Sequence, residues 1–599
     1  MEDQPVSRLE RRTQRRTRRW KTNIWTLFYI PLALIPNWGA WVQGPTHTLS
    51  SGLGGDGGQE IWFLGITAHQ ILHFHNPFFT DVMNIPHGVN LADVTSMPLL
   101  GGICAPLTWI WGPIFTYNVL TFLSTVGSAL TMYWLAGRWI ERRSSRFLAG
   151  LLYAFSPYMA AQLWGHLFLT MIFVFPIIIL SLDEIFVRQN WKPWQSGGLL
   201  GLCCIAQIGI SPELLLDGAI IGALPAIALL VNLARKPLAA SIYALRAIGI
   251  TVAVAILPTA LFVYNFLYGK GHMSGAYRNA AMVSNLKVDF LSMLLPGSIQ
   301  RFGMHVATKI DALTYFGQAI HTPDPFESGG FISIPLMLLM LGCLPLVWKR
   351  REIWVLALGA AISLLISMGS QPTINGHWLR FTGPFSILQD LPLLENSIAS
   401  RWTLFLWLFV AILAAIIYDR AVTYFQTATQ SLRFKQLRAA SISLAILAVI
   451  SLLPRWPMPQ QEQQVPKWFL SSKVKTLTPD SVIVTSPLAI NGTPLAMMWQ
   501  SINGFNYRLA HGSAGPQTSE WGPVKAIVAQ CDVANAPTIP NLRRLTVAQQ
   551  QLRRLGVTTL IATNYSANPT CAKIVFSALA GTPGTDELDV RIWRLAPPR

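Results

Sequence analysis

Residues 25–42, WTLFYIPLALIPNWGAWV, are uncharged over a length that can cross a membrane, and the loop after them contains Gly54-Gly55-Asp56-Gly57-Gly58-Gln59. The first stretch predicts a membrane-spanning helix. The second places one carboxylate between two glycine pairs at the mouth of that helix. Because glycines let a backbone approach a ligand closely, Asp56 could accept a proton or bind a metal there. The plain alternative is a solvated acid in a flexible loop.

The composition indicates a membrane protein with many spans. Of the 599 residues, 52% are hydrophobic and 12% are charged, whereas soluble domains carry roughly 25% charged residues. The formal net charge of +18 comes from basic residues before the first span and in short loops. This is the positive-inside pattern, which also suits anionic lipids, and it predicts no nucleic-acid partner. The loops contain no Walker, kinase or dinucleotide motif, which argues against a nucleotide-driven reaction.

The loop charges set the predicted topology. The basic tail, residues 1–24, is expected in the cytoplasm, and the external loops are expected at 44–96, 268–329 and 370–401. The broken run 97–111 is interpreted as a re-entrant or interfacial element. Together with 25–42, the predicted spans give about 11 crossings, N-terminus in and C-terminus out: 114–137, 147–161, 164–187, 196–211, 213–233, 239–267, 330–348, 353–369, 402–419 and 438–455.

A change of composition marks a second domain. Residues 25–455 form the predicted membrane domain, and residues 456–599 contain a Pro- and Gln-rich linker followed by strand-like runs and a helical pattern. The expected fold is therefore an all-α polytopic membrane protein with a small extracytoplasmic α/β domain. Cys531 and Cys571 are the only cysteines of that domain. An oxidising exterior would permit a disulfide between them, and two free thiols are the alternative.

The external segments supply the candidate acids and histidines. Residues 59–75 have helical spacing and predict an amphipathic helix at the membrane surface. Pro212 breaks the helix before Glu213. This puts the Glu213 carboxylate at an external turn, where ionisable groups are often functional. Each candidate could instead be an ordinary surface group. The further candidates for a second acidic or acceptor site are Asp81, Asp93, His69 and His166.

Three basic side chains are candidates for binding a phosphate. Arg401 lies at the outer end of a predicted span, where the positive-inside rule makes a cation unexpected. An arginine there can grip a phosphate with two parallel hydrogen bonds, or it can reach toward lipid headgroups. Lys270 and Arg278 begin the external loop 268–329.

An ordered series of short motifs runs through residues 54–233. It comprises Gly55-Asp56, the helix ending near His69, Asn84-Ile-Pro-His-Gly-Val-Asn-Leu, Pro98-Leu-Leu-Gly, Pro106-Leu, Gly112-Pro113, Tyr117-Asn118 and Ala154-Phe-Ser-Pro-Tyr. With Ser400-Arg401, where Ala399 replaces the usual proline, this series resembles the GT-C superfamily of integral-membrane glycosyltransferases, especially its bacterial YfhO-like branches.

The resemblance implies a sugar transfer on the outer face of the bacterial cytoplasmic membrane. The donor would be a polyprenyl-phosphate-linked sugar, and the acceptor an envelope glycan, lipid or protein. The superfamily's first-loop aspartate maps onto Asp56, as catalytic base or as ligand of a divalent cation, Mg or Mn. Arg401, Lys270 or Arg278 would then stabilise the leaving lipid phosphate. We expect a single inverting displacement, because the loops show no second carboxylate fixed as a nucleophile.

Two other functions fit parts of the sequence. A transporter or flippase of a lipid-linked precursor would show two related halves and charges in mid-span. Residues 25–455 show no half-to-half symmetry, and few charges lie in mid-span. A non-catalytic scaffold would leave Asp56 in a structural role. An enzyme predicts that Asp56, Glu213 and Arg401 line one external cavity that is connected to the lipid.

Overall fold

The computed structural model describes residues 24–49, 56–273, 286–297, 299–302, 329–391, 394–427, 431–456, 458, 461–462, 464–488, 494–515, 521–532 and 542–595. Within these ranges the chain is mostly helical, with a small mixed sheet near its C-terminal end. The basic tail up to residue 23, Gly54, Gly55 and Arg278 lie outside the described residues.

The apolar runs form helices close to where the sequence predicts them. In the N-terminal half these are α1 (Ile24–Leu27), α2 (Tyr29–Gln43), α3 (Gly57–Leu72), α4 (Pro98–Ile103), α5 (Ala105–Ala136), α6 (Arg143–Ala154), α7 (Pro157–Gln162), α8 (Leu167–Thr170), α9 (Val174–Asp183), α10 (Pro193–Ile210), α11 (Pro212–Ala234) and α12 (Leu238–Tyr268). Next come α13 (Ile334–Cys343), α14 (Arg351–Ser367), α15 (Phe385–Gln389), α16 (Thr403–Thr427) and α17 (Leu432–Leu452).

The number of membrane crossings stays a prediction. Among the described residues, five helical segments are long and apolar enough to cross a membrane, and a sixth is a pair bent by 48° within α11. The five are Ala105–Ala136, Leu167–Arg188, Leu238–Tyr268, Ala399–Thr427 and Leu432–Leu452. Several other predicted spans form shorter or interrupted helices.

The run 97–111 is broken, as its prolines and glycines predict. Helix α4 ends at Ile103, and α5 then bends at Gly112, whose φ of 86° is open to glycine but strained for other residues. The described structure therefore separates this run from the long helix that follows Gly112.

Loops predicted to share the cytoplasmic face do meet at one end of the helices. Arg138 forms an ion pair of 2.6 Å with Glu184, and Arg188 one of 2.9 Å with Asp183. Lys236 donates to backbone carbonyls of residues 186 and 187. These contacts join the loops at 138–146, 188–192 and 235–236, as the topology requires, while the compartment that they face remains a prediction.

Helix α3 corrects the expectation of a surface helix. Most of its side chains are buried, Trp62 and Leu64 completely, because α5 packs on one side and α19 (Leu495–Ile502) on another. Trp62 donates a 2.7 Å hydrogen bond to Gln500 of α19. The spacing was amphipathic only in part, and an apolar helix surrounded by partners is a core helix.

The C-terminal region forms the predicted α/β fold. Its five-stranded sheet has the order β10-β11-β9-β7-β8, in which β7 pairs in parallel with both β8 and β9. The strands are β7 (Val482–Ser486), β8 (Arg508–Leu509), β9 (Val557–Thr563), β10 (Thr585–Glu587) and β11 (Val590–Arg594). The helices are α18 (Lys467–Leu470), α19, α20 (Gly522–Val528), α21 (Leu542–Arg554) and α22 (Pro569–Ala580). Two-residue strands elsewhere are β1 (Thr48–Leu49), β2 (Phe79–Thr80), β3 (Val89–Asn90), β4 (Thr373–Ile374), β5 (His377–Trp378) and β6 (Gln461–Glu462).

This region is stabilised in two ways. Cys531 and Cys571 form a disulfide that links the 3-10 turn after α20 to α22. Four of its aromatic residues are buried, namely Trp468, Trp499, Tyr507 and Trp521. One apolar cluster continues from Trp468, Trp499 and Tyr507 into α3 and the membrane helices, so the sheet domain is packed onto the membrane domain rather than tethered to it.

Candidate functional site

Asp56 occupies the N-cap position of α3. Its backbone oxygen accepts the 2.9 Å hydrogen bond from Glu60 that starts the helix, but its side chain makes no capping bond. The side chain is 53% exposed. The carboxylate is thus free of the helix end and accessible to a bound molecule.

His166 is the imidazole closest to this carboxylate among the contacts of the described residues. It precedes the short helix α8, and its Nε2 lies 3.7 Å from Asp56 Oδ2. Nδ1 lies 2.9 Å from Gln162 Oε1, to which it donates. Because an amide oxygen can only accept, this contact needs a hydrogen on Nδ1, and Nε2 is the ring nitrogen that faces Asp56.

Glu60 lies one turn after Asp56 and is buried to 1% exposure. Its Oε2 accepts a 2.9 Å hydrogen bond from the Leu167 backbone N–H, and the Tyr117 phenol also interacts with this carboxyl. Burial raises the pKa of Glu60 well above its usual value, although the Leu167 N–H opposes the shift. Sequence reasoning did not select Glu60 as a site residue, and its position among apolar residues of α3 was the available signal.

Arg401 and Glu213 form an ion pair in which Arg401 is buried and Glu213 is partly buried. Arg401 lies in the 3-10 turn Ala399–Trp402, and its guanidinium donates a 2.8 Å hydrogen bond to Glu213 Oε2. The Arg401 side chain is 3% exposed and that of Glu213 is 17% exposed. The Phe168 ring lies 6.2 Å from the His166 ring and 5.7 Å from the Arg401 guanidinium carbon, so a series of contacts leads from Asp56 through His166 to Arg401 and Glu213.

Asp217 is a further carboxylate beside this group of residues, on the same helix α11 as Glu213. It is fully buried one turn after Glu213, and neither carboxylate oxygen has a hydrogen-bond partner among the described residues. Its electrostatic neighbours are Glu213 and Arg401.

Two other acidic candidates make structural contacts. Asp81 is exposed and pairs at 3.2 Å with Arg508 of the sheet domain. Asp93 accepts a hydrogen bond from the Met273 backbone and pairs with His272 at 3.4 Å. Burial raises the pKa of Asp93, and the Met273 N–H opposes the shift. These contacts fix loops and leave Asp56 as the exposed carboxylate of that group of residues.

The remaining basic and histidine candidates lie in other contacts. Lys270 places its ammonium 4.5 Å from the centre of the Phe79 ring. The His69 ring lies 4.1 Å from that of His73 and 5.0 Å from that of Phe505. Burial lowers the pKa of His69 to about 4, and His73 and His75 add to the shift.

The described residues contain no group of three His, Cys, Asp or Glu side chains arranged to hold a metal ion. A divalent cation at Asp56 would therefore take most of its ligands from a bound phosphate and water, which is common for Mg²⁺.

The sequence matches no protein-family model and no curated protein. Among solved structures, the chain is similar to the arabinofuranosyltransferase AftD from Mycobacteria, with a TM-score of 0.51 and 13% identity over 96% of this chain and 40% of AftD. The chain thus spans less than half the length of that enzyme. At such identity the likeness shows the fold alone: the chain shares the fold of the matched part of this arabinofuranosyltransferase.

Two further solved structures are less similar. ArnT from Cupriavidus metallidurans, solved bound to undecaprenyl phosphate, has a TM-score of 0.45 and 9% identity over 95% of this chain and 97% of ArnT. The oligosaccharyltransferase AglB from Archaeoglobus fulgidus, solved with an inhibitory peptide and a dolichol-phosphate, has a TM-score of 0.44 and 13% identity over 94% and 71%. Similarity at this level adds nothing to the fold assignment.

Proposed function

We propose that this chain is a glycosyltransferase that moves a sugar from a polyprenyl-phosphate donor to an envelope glycan, lipid or protein on the outer face of the bacterial cytoplasmic membrane. The observation that carries the proposal is the exposed Asp56 carboxylate beside His166, on the turn whose Phe168 ring lies 5.7 Å from the Arg401 guanidinium carbon. The GT-C fold supports the same reaction class.

Asp56 is the proposed general base. An acceptor hydroxyl is a weak nucleophile until a carboxylate takes its proton, and Asp56 is accessible enough to do so. His166 Nε2, 3.7 Å away, can receive that proton from Asp56 and return the carboxylate to its charged form. The hydroxyl oxygen then attacks the anomeric carbon, and the bond from that carbon to the lipid phosphate breaks.

Arg401 is the proposed ligand of the leaving phosphate. Negative charge develops on the phosphate as the bond breaks, and a guanidinium in a desolvated site stabilises it strongly. Glu213 already pairs with Arg401, so the phosphate would have to compete with that carboxylate. Lys270 and Arg278 remain proposed as further phosphate ligands in the loop that begins at residue 268.

The proposed displacement is single and inverting. A retaining reaction through a covalent intermediate needs a second carboxylate at the anomeric carbon. Glu60, the carboxylate nearest in sequence to Asp56 on α3, is 1% exposed and accepts a hydrogen bond from the Leu167 N–H, so we do not propose it as that second carboxylate. A divalent cation, if bound at Asp56, would neutralise donor phosphate charge.

The test is a strain that lacks this protein. We expect a lipid-linked sugar to accumulate, and mass spectrometry of that lipid identifies the donor. Wild-type protein should clear it, and Asp56→Asn, which keeps shape but removes basicity, should not. Asp390→Asn, which changes an exposed acid in the loop 370–401, is the matched control and should behave as wild type.

Two outcomes would contradict the proposal. Full clearance by Asp56→Asn at normal protein level would remove the catalytic role of Asp56. If the protein were a flippase, its loss would leave the lipid-linked sugar on the inner leaflet, out of reach of an impermeant reagent that modifies sugars in intact cells. Loss of a transferase would leave the lipid-linked sugar exposed on the outer leaflet.

A further inference from the structure

Glu60 is a buried carboxyl that the proposed reaction does not use. It lies one turn from Asp56, yet its side chain is 1% exposed. Burying a carboxyl is costly unless its contacts compensate, so its contacts indicate what it does.

Those contacts are with the backbone that carries His166. Oε2 of Glu60 accepts the Leu167 N–H at 2.9 Å, and the Phe168 N–H also acts on this carboxyl. The same backbone therefore presents two side chains to the site, one on each side of Leu167. The His166 imidazole lies 3.7 Å from Asp56, and the Phe168 ring centre lies 5.7 Å from the Arg401 guanidinium carbon.

The other neighbours of Glu60 come from three elements. Tyr117 of α5 interacts with the carboxyl, Asp56 acts on it from the start of α3, and Arg401 acts on it from the turn 399–402. Burial, the largest influence, favours the neutral carboxylic acid. A neutral carboxyl still offers a carbonyl oxygen to the Leu167 N–H, and a glutamine side chain offers the same atom.

We propose that Glu60 is a positioning residue: its hydrogen bond to Leu167 fixes the turn 166–168 so that His166 stays beside Asp56 and Phe168 stays beside Arg401. Glu60 acts through this hydrogen bond alone, and no proton passes between Glu60 and the substrate. The placement of His166 and Phe168 follows from the structure alone, whereas its effect on transfer rests on the function proposed above.

The first test needs no substrate. In detergent-solubilised protein labelled with ¹⁵N-histidine, Asp56→Asn should shift the ring signals of His166, which His166→Gln assigns. In the Glu60→Gln background the same shift should appear. In the Glu60→Ala background it should shrink or vanish, because the unpaired Leu167 N–H no longer holds the turn in place.

The second test is clearance of the accumulated lipid-linked sugar. Glu60→Gln should keep activity within about threefold of wild type, and Glu60→Ala should lose about tenfold or more, the cost of one unsatisfied buried donor. If Glu60→Ala does not fold, Glu60→Met, which fills the volume without accepting a hydrogen bond, replaces it.

Three results would overturn the proposal. Glu60→Gln as inactive as Asp56→Asn would make Glu60 a proton-transfer group. An unchanged His166 response in both Glu60→Ala and Glu60→Met would show that the turn does not need this contact. Loss of the response in Glu60→Gln would show that the charge matters, not the hydrogen bond. A chain with no transfer activity would still give the histidine result, so failure of the function and failure of this inference can be told apart.

Discussion

The guanidinium of Arg401 donates a 2.8 Å hydrogen bond to Glu213, although the two residues are 188 positions apart in the chain. Arg401 is buried, with 3% of its side chain exposed. The charge of Arg401 is therefore already balanced by Glu213 before any phosphate binds. In the reaction proposed above, the leaving phosphate would compete with Glu213 for this guanidinium.

This competition predicts the effect of Glu213→Gln. The variant weakens the internal pairing of Arg401, so it should bind undecaprenyl phosphate more tightly, by about tenfold, the typical scale of a hydrogen bond to a charged group. Arg401→Lys, which keeps the charge but loses the bidentate fork, should bind it more weakly. Calorimetric titration in detergent measures both.

The matched control is Arg350→Gln. Arg350 is a partly exposed arginine paired with Glu352 at 3.5 Å, in the predicted cytoplasmic loop 349–351. Its replacement should leave undecaprenyl phosphate affinity unchanged. Weaker binding by Glu213→Gln would show that Glu213 assists the phosphate instead of competing with it.

Two neighbouring glycines of α10 should respond in opposite ways to alanine. A Cβ on Gly197 would lie 2.1 Å from the backbone oxygen of Ala247 in α12, whereas one on Gly198 would meet no atom within 4 Å. Gly197→Ala must separate two closely packed helices and should destabilise the protein by about 1–3 kcal/mol.

Gly198→Ala is the control for helix propensity. Alanine is favoured over glycine within a helix by about 1 kcal/mol, so this variant should be neutral or slightly more stable. Thermal unfolding in detergent compares the two variants. Equal melting temperatures would contradict the close packing of α10 on α12.

The sequence was sufficient to predict the positions of most helices and the sheet domain. Uncharged runs must avoid water, and the loop charges sort to one face. The strand at residues 482–486 and the strand at 557–563 were also visible as β-branched runs. Asp56, His166, Glu213 and Arg401 were each predicted from the sequence as site residues. In the structure Asp56 lies beside His166 and Glu213 pairs with Arg401, while their functional roles stay predictions.

The packing of the sheet domain onto α3 was not predictable from local pattern. It depends on contacts between distant segments, such as Asn84 donating to the Ala514 carbonyl 430 residues away. The role of Glu60 depends likewise on a backbone N–H of another segment, at Leu167. Residue spacing describes a helix face, but it does not say which partner covers that face.

The disulfide between Cys531 and Cys571 closes a loop of 40 residues in sequence. In the chain-entropy model, such a loop stabilises the folded state by about 4 kcal/mol. The variant with both cysteines replaced by alanine should melt at a lower temperature than wild type. A reducing agent should lower the melting temperature of wild type but not that of the variant without the two cysteines.

Cys104→Ala controls for the loss of a thiol, because Cys104 is a free, partly buried cysteine in the membrane domain. It should keep the wild-type response to reductant. If reductant does not affect the wild-type melting temperature, the disulfide does not stabilise the fold under those conditions.

His69 should make stability depend on pH. Burial, with His73 and His75, lowers its pKa from 6.5 to about 4, so between these values the unfolded chain binds a proton that the folded chain does not. Stability should therefore be fully present above pH 6.5 and fall as pH is lowered toward 4. Protonation would also place a charge against the Phe505 ring of the sheet domain, whose centre is 5.0 Å away.

The measurement is the melting temperature between pH 7.5 and pH 4.5, a range set by the pKa shift of His69. His69→Phe keeps an aromatic ring between His73 and Phe505 but cannot titrate, so its melting temperature should fall less than that of wild type over this range. His47→Gln, which changes an exposed histidine outside the cluster, should follow the wild-type curve. Parallel curves for wild type and His69→Phe would mean that His69 takes up its proton equally readily in the folded and the unfolded chain, and that its burial does not oppose protonation.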